Sequence, residues 1–268
     1  MCMYKQESEE QKKFMQRLKA RKRLIAVLRI LLLIFIFACW EAVTWFNFLD
    51  RFIFSSPGRM LNTFIKLYRE GSLFTHVLTT LWETVVGFLL GTIFGILIAI
   101  VLWLSETCSK VLEPYLVVAN ALPKIALGPV FIVWMGAGPA AIITVAVTVS
   151  LIVTVLEVYT GFIETDSEKI RLVQSFGASR KQILTKVVLP SSFPVMMNAL
   201  KVNVGMSWVG VIVGEFLVSK AGLGYLIVYG GQVFQLDLVM TSVLILSVLA
   251  ALMYFGVQLL GRWISEKY

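Results

Sequence analysis

Six long apolar runs, separated by polar segments or by glycine and proline, dominate the sequence. A helix needs about 20 apolar residues to cross the hydrocarbon core of a bilayer, and every run reaches that length. The runs predict six transmembrane helices, at residues 24–46, 77–103, 111–135, 139–161, 194–218 and 236–260. The chain is therefore predicted to be an all-α integral membrane protein.

The remaining residues form a basic tail, two tight turns and three longer connections. A cleaved signal peptide is the alternative interpretation of the tail and first run, but the run is long for a signal peptide and lacks a small-x-small exit. Within the first connection, Ser55, Ser56 and Pro57 resemble a helix start and are followed by apolar residues at helical spacing, which predicts an amphipathic surface helix. The tail is residues 1–23, the turns are residues 104–110 and 136–138, and the connections are residues 47–76, 162–193 and 219–235.

The composition excludes several classes of protein. Of the 268 residues, 58% are hydrophobic and only 15% are charged, against about a quarter in soluble domains. The three cysteines show neither pairing nor CxxC spacing, and His76 is the single histidine, so no metal site is predicted. The sequence contains no GxxxxGK[ST] and no GxSxG motif. We therefore expect no catalytic residue, no metal and no cofactor on this chain.

The basic residues indicate the orientation of the chain. The formal charge is +8, but the lysines and arginines flank apolar runs, which argues against a nucleic-acid partner. With the N-terminus inside, sixteen of them lie on the cytoplasmic side and five outside. This asymmetry predicts that both termini and residues 162–193 are cytoplasmic. We expect the basic tail to lie against anionic membrane lipid.

The third run contains Pro123 and Pro129, each of which removes a backbone donor and disrupts a helix. Freed carbonyls are tolerated in a membrane only when they face protein or water, so this run is predicted to line a pore. Lys124 lies halfway along it, and Glu215 is another conspicuous ion within a run. Either the two side chains form a structural pair or Lys124 lines a solute path. The candidate pathway residues are Pro123, Lys124, Asn203, Ser207 and Glu215.

Glycines repeat at four-residue spacing in the second and fifth runs. Such stripes let helix backbones approach closely, so these faces are predicted to pack against other helices. The alternative is that the smooth faces slide during transport. Glu83 lies near the end of a run and is predicted to reach the membrane interface. The glycines are Gly87, Gly91 and Gly95 in the second run and Gly210 and Gly214 in the fifth.

Residues 162–193, here called the elbow, contain two short helical patterns, at residues 167–176 and 179–188. Asp166 or Ser167 is expected to cap the first helix, and Gly177 between the helices is free to adopt a left-handed conformation. Two prolines are expected to stop the second helix. Both helices carry apolar stripes that need burial, against a soluble partner or on the membrane surface. The prolines are Pro190 and Pro194, and the stripes are Ile170, Val173 and Phe176, and Ile183, Leu184 and Val187.

The elbow resembles the cytoplasmic loop of permease subunits of bacterial binding-protein-dependent ABC importers. Their loop carries Glu-Ala-Ala, three residues, Gly, nine residues and Ile-x-Leu-Pro. Gly177, Leu189 and Pro190 occupy the matching positions, and Val187 replaces the isoleucine. The sequence departs from the pattern at Arg171-Leu172-Val173, where the family has Glu-Ala-Ala.

Further segments are similar to the nitrate, sulfonate and taurine branch of that family, which includes permeases for thiamine-precursor pyrimidines and riboflavin. The resemblance covers residues 54–265 and implies a type I importer fold with a permease core at residues 77–265. It also implies a small anion or a vitamin precursor as substrate. The segments include FSSPGRMLNTF, LTTLWETVVGFLLGTIFGILIAI, ALPKIALGPVFIVWMGAG and WVGVIVGEFLVSKAGLGYLI.

The resemblance also implies partners and a location. Two ATPase subunits, which bind ATP and Mg²⁺ through their own P-loops, would dock on the elbows of two permease subunits, usually identical. An extracytoplasmic binding protein would deliver the solute to the assembly in the bacterial inner membrane. The implied ATPase contacts are Glu168, Arg171, Phe176, Gly177, Ala178, Ser179, Val187, Leu189 and Pro190.

An ion-coupled secondary transporter or a channel is the rival function. Such proteins place ionisable groups or broken helices at the midplane of the membrane. Lys124 beside Pro123 combines one ionisable group with one predicted helix break. The sequence shows no internal repeat relating its two halves, which favours the importer.

Overall fold

The computed structural model describes residues 9–46 and 48–265, and every regular element within them is helical. The first eight residues of the predicted basic tail lie outside the described residues. Within the described residues, five helices are long and apolar enough to cross a membrane, and a sixth span results if one sharply bent pair is counted together. The helices are α1 (Glu9–Trp45), α2 (Arg51–Phe54), α3 (Pro57–Arg69), α4 (Ser72–Leu104), α5 (Glu106–Ala121), α6 (Gly128–Met135), α7 (Pro139–Ile163), α8 (Ser167–Ser175), α9 (Arg180–Ile183), α10 (Leu189–Val218), α11 (Leu223–Gln232) and α12 (Leu236–Ser265).

Helix α1 joins the basic tail to the first apolar run without a break, because no glycine or proline interrupts it. The surface helix predicted after Pro57 is α3. Its first turn is capped by Ser56, whose Oγ accepts a hydrogen bond from the N–H of Arg59 at 3.4 Å. Oε2 of Glu41 accepts from the N–H of Gly58 at 2.9 Å, which ties α1 to the start of α3.

Helices α4, α7 and α10 form the centre of the unit that covers residues 63–268. A Cβ atom placed on Gly95 of α4 would lie 2.7 Å from Cβ of Thr154 in α7. A Cβ atom on Gly210 of α10 would lie 2.5 Å from Cα of Ala146, also in α7. Because the helices leave no room for a side chain at these points, the predicted packing of both glycine stripes is confirmed.

The third apolar run is not one straight span. After α5, a 3₁₀ turn covers Lys124–Leu127 and α6 follows, with an 89° bend between the two halves. The helix break predicted at Pro123 is confirmed, since proline lacks an N–H and holds the preceding residue in an extended conformation. Pro129 is not a break, because it stands in the first turn of α6, where no donor is needed. The turn predicted at residues 104–110 is reduced to Ser105, which caps α5.

The second elbow helix continues into the fifth apolar run. Helix α9 passes into a π turn at Leu184–Val188, and this turn leads directly into α10. The prediction that Pro190 and Pro194 stop the helix is therefore wrong. Pro190 stands in the first turn of α10, after a wider π turn that accommodates its missing donor, and Pro194 lies inside α10.

Helix α11 fills the connection at residues 219–235, where the sequence pattern indicated no helix. Its apolar side is buried against α3, α4 and α12, so it forms part of the packed unit rather than a free loop. The residues of this cluster are Leu67, Leu73, Leu223, Leu226 and Leu238.

Candidate functional site

Local hydrogen bonds determine the shape of the elbow. Asp166 caps α8, because its Oδ1 accepts from the N–H of Glu168 at 2.9 Å. Oγ of Ser179 accepts from the N–H of Gln182 at 3.4 Å, and Oε1 of Gln182 accepts from the N–H of Ser179 at 2.8 Å. Between these caps Gly177 has a φ of +81°. Of the two predicted caps, Asp166 is the one that the structure shows, and the left-handed glycine is confirmed.

One side of the elbow is built into the core of the protein. Ile183 is 2% exposed and lies in one cluster with Ala99 of α4 and Phe162 of α7. Nη1 of Arg180 donates to the backbone oxygen of Leu104 at 3.1 Å, which adds a polar link to the end of α4. The second predicted apolar stripe therefore meets the chain's own helices rather than a separate partner.

The other side of the elbow is open. Phe176 is 81% exposed and Leu172, one helical turn earlier, is 59% exposed, with Glu168 and Arg171 exposed beside them. We call these four residues the elbow face. The first predicted stripe splits, because its other members are half-buried against the core whereas Phe176 is not. Of the remaining implied contacts, those half-buried against the core are Ala178, Val187 and Leu189, and the exposed ones are Gly177, Ser179 and Pro190.

Asn203 and Ser207 lie inside the chain. Asn203 is 1% exposed, and its Nδ2 donates to Oγ1 of Thr92 at 2.5 Å. Ser207 is 0% exposed on the same side of α10. The Asn203 bond links α10 to α4, so within one chain it stabilises the helix bundle. The predicted role of both residues in a solute path stays a prediction.

Lys124 and Glu215 do not pair. The Lys124 ammonium group donates to the backbone oxygen of Asn120 at 3.0 Å and to its Oδ1 at 3.4 Å. Oε2 of Glu215 accepts from the N–H of Gly224 at 2.6 Å. The ion pair between Lys124 and Glu215, one of two predicted alternatives, is therefore wrong. Because the helix breaks at Pro123, the Lys124 side chain lies against the unpaired carbonyls at the end of α5.

Glu83 and Glu215 form a buried pair that the sequence did not indicate. Each is 1% exposed, and their carboxyl groups contact each other between α4 and α10. The prediction that Glu83 reaches the membrane interface is therefore wrong. The start of α11 lies against this pair, and the N-terminal end of a helix favours acceptors and negative charge.

The first N–H groups of α11 all find acceptors on α4 or α10. Such groups have no partner within their own helix, so side chains must satisfy them when they are buried. The sequence contains one signal for the contact between α11 and Glu215, namely the two glycines Gly222 and Gly224 at the start of α11. Glycine is needed there because a Cβ atom on Gly224 would lie 2.8 Å from Cβ of Glu215. The bonds run from Gly222 N to His76 Nδ1 (3.0 Å), from Leu223 N to Thr80 Oγ1 (2.7 Å) and from Gly224 N to Glu215 Oε2 (2.6 Å).

We expect Glu215→Leu to loosen α11. The substitution leaves the buried N–H of Gly224 without an acceptor, which costs about 1–3 kcal/mol. Amide hydrogen exchange of α11 in the purified chain should become faster. Glu215→Gln keeps a carbonyl oxygen and should show a smaller change. Unchanged exchange in the leucine variant would show that α11 does not depend on this carboxylate.

The comparison with known proteins identifies the family. Residues 91–268 match the model of the family described as binding-protein-dependent transport system inner membrane component. The chain belongs to this family. It is 32% identical over 230 residues to the "Probable ABC transporter permease protein" of Haemophilus influenzae, covering 85% of this chain and 91% of the relative. It is 26% identical over 242 residues to the "Putative aliphatic sulfonates transport permease protein SsuC" of Bacillus subtilis, covering 90% and 88%.

The fold of this permease is also found in a solved importer. An inward-facing structure of the MetNI methionine ABC transporter matches with a TM-score of 0.63 at 20% identity, over 70% of this chain and 94% of that chain. The chain is thus a multi-pass membrane permease of an ABC importer, with the type I importer permease fold. It is a transport subunit rather than an enzyme.

Proposed function

We propose that this permease carries a small anion of the sulfonate type, or a vitamin precursor, across the bacterial inner membrane. Two separate ATPase subunits, which hold the ATP and Mg²⁺, would dock on the elbow faces of two identical permease subunits. A binding protein outside the membrane would deliver the solute. The named sulfonate relative supports the substrate class. The proposal of ATPase docking rests on the elbow face, which is exposed although the other side of the elbow is buried in the core.

The elbow has the mechanical connections that such a coupling needs. Its inner side is buried against α4 and α7, and α9 continues through the π turn into α10. A displacement of the elbow would therefore move the start of α10 instead of being absorbed by a flexible linker. Coupling between two distant sites requires a physical element of this kind, whose position both sites influence.

The proposed orientation places the elbow and both termini in the cytoplasm. The excess of lysine and arginine on that side supports it, because basic residues are retained on the cytoplasmic face during insertion. In this orientation, the elbow face is accessible to an ATPase, and α11 lies at the side from which the solute arrives.

We expect Phe176→Ala to weaken ATPase docking strongly. An exposed aromatic side chain at the centre of an interface often contributes about 2 kcal/mol or more to binding. The measurement is co-purification of the permease with a co-expressed ABC ATPase subunit from the same organism, together with ATP-dependent uptake in proteoliposomes. Phe94→Ala is the matched control, since Phe94 is 49% exposed on the membrane helix α4, away from the elbow. Equal docking of the Phe176 variant and the control would contradict the proposal.

The substrate is tested in the same proteoliposomes. Uptake of labelled alkanesulfonate, taurine and vitamin precursors is measured with the binding protein, with an active ATPase and with an ATPase whose P-loop lysine is replaced. We expect uptake of one of these solutes only with the active ATPase. Uptake that persists with the inactive ATPase and collapses with an ionophore would establish the ion-coupled transporter instead.

A further inference from the structure

A cavity of about 420 Å³ lies between α10 and α12, away from the elbow face and from the Glu83–Glu215 pair. Lys201 contributes to it from α10, and Gln258 and Arg262 contribute from α12. Phe193 and Met197 form its apolar wall. The cavity thus combines two cationic groups and an amide with an apolar side, and it is large enough for a phosphate group with its substituents.

The cations of this cavity are not neutralised within the part of the chain that the structure describes. No carboxylate lines the cavity, and neither Lys201 nor Arg262 forms an ion pair with a described residue. Lys201 stands twelve residues, or about 18 Å, beyond the start of α10. A charged group on a membrane helix is expensive unless it meets a partner or reaches the headgroup region, so Lys201 needs such a counterpart. Lys124 differs, because Asn120 receives its hydrogen bonds.

An exposed apolar stripe on α12 begins beside the cavity. Leu259 directly follows Gln258 and is 63% exposed, and the stripe continues with Phe255 and Leu252 at 56% and 62%. Trp263, 59% exposed, directly follows Arg262 at the cavity end of the stripe, near the end of α12. Tryptophan is enriched where a helix leaves the hydrocarbon core and enters the headgroup region. The cationic cavity and the stripe therefore lie at the depths of a lipid headgroup and of its chains.

We propose that the cavity binds the phosphate headgroup of an anionic phospholipid, while an acyl chain of the same lipid covers the stripe on α12. Lys201 and Arg262 would donate to the phosphate oxygens from two helices, and the amide of Gln258 would donate to a glycerol or headgroup oxygen. Basic pockets between transmembrane helices are established sites for such headgroups in membrane proteins. A free anion would use the same cations but would leave the stripe uncovered. The proposal does not depend on the transported solute.

The bound lipid would join α10 to α12. Gly261 of α12 already lies against the side chain of Met197, so the helices are in contact beside the cavity. A headgroup held by Lys201 and Arg262 adds a second link between the helix that continues from the elbow and the last helix of the chain. The stability of the pair should therefore respond to the type of lipid.

The experiment uses the full chain purified in a mild detergent. The midpoint of thermal unfolding is measured with added phosphatidylglycerol and with added phosphatidylcholine, and native mass spectrometry counts the retained lipids. We expect phosphatidylglycerol to raise the midpoint more and to be retained in preference. In Lys201→Met, which keeps an apolar stem, and in Arg262→Gln, the retention of phosphatidylglycerol should fall several-fold. Lys66→Met removes an exposed lysine from α3 and should retain the lipid as the wild type does.

Two outcomes would overturn the proposal. Equal midpoints and equal retention with the two lipids in the wild-type chain would exclude a headgroup site, whatever the variants do. A rise in the midpoint with inorganic phosphate as large as that with phosphatidylglycerol would assign the cavity to a free anion. The first comparison needs no variant, so the test stands even if a substitution prevents folding.

Discussion

Gly210→Ala should prevent stable packing of the permease core. A Cβ atom at this position would lie 2.5 Å from Cα and 3.1 Å from the backbone nitrogen of Ala146. Backbone atoms cannot rotate away as a side chain can, so α7 and α10 would have to separate along their length. We expect a loss of about 3 kcal/mol or more, at or above the upper end of the usual cost of overpacking. Thermal unfolding and the yield of monodisperse protein measure the effect.

Gly205→Ala is the matched control for this substitution. Gly205 lies on the same helix five residues earlier, and no atom lies within 4 Å of the Cβ that alanine would add. The control should keep the wild-type midpoint or gain up to about 1 kcal/mol, because alanine favours the helix over glycine. If the two variants unfold at the same temperature, α10 and α7 can separate at Gly210 at little cost in stability.

Gly177→Val should uncouple the permease from ATP hydrolysis, on the proposed function of the elbow. The backbone at Gly177 has a φ of +81°, and no atom lies within 4 Å of an added Cβ. The cost is therefore conformational, about 1–2 kcal/mol for a left-handed residue that is not glycine, and greatest for a β-branched one. Relief of this strain would reorient α8 and its elbow face. We expect near-normal expression with a several-fold loss of ATPase docking and of ATP-dependent uptake.

Gly177→Asn separates conformation from side-chain volume at this position. Asparagine tolerates the left-handed region better than other residues with a side chain, so it should retain most of the uptake. Wild-type docking and uptake in the valine variant would show that the angle between the elbow helices is not needed. Equal losses in both variants would mean that the ATPase contacts the surface at Gly177 itself.

The shape of the elbow could be predicted because its causes are local. The cap by Asp166 and the left-handed turn at Gly177 depend on residues within a few positions of each other. The path of the chain after the elbow could not be predicted. Pro190 usually marks the end of a helix, but a π turn before it lets the helix continue, and the burial of Ile183 against α4 and α7 holds that turn in place.

For the polar groups within the spans, the sequence indicates the positions of the charges but not their partners. The sequence marks Lys124 and Glu215 as charges within the spans and places Glu83 near the end of one, but it does not show which of the three meet. The structure brings Glu83 and Glu215 together under the start of α11 and leaves Lys124 at the end of α5. The Glu83–Glu215 contact joins residues far apart along the chain, and helix packing determines it.

By itself, the sequence determined the membrane class, the glycine faces and the local shape of the elbow. Each of these follows from the length of apolar runs or from the conformational preference of residues close together in the chain. Only the tertiary structure decided which buried polar groups are partners, where the elbow is anchored and where cations remain available to a lipid. Those features depend on the mutual rotation and spacing of α4, α7, α10 and α12, which no local pattern of residues specifies.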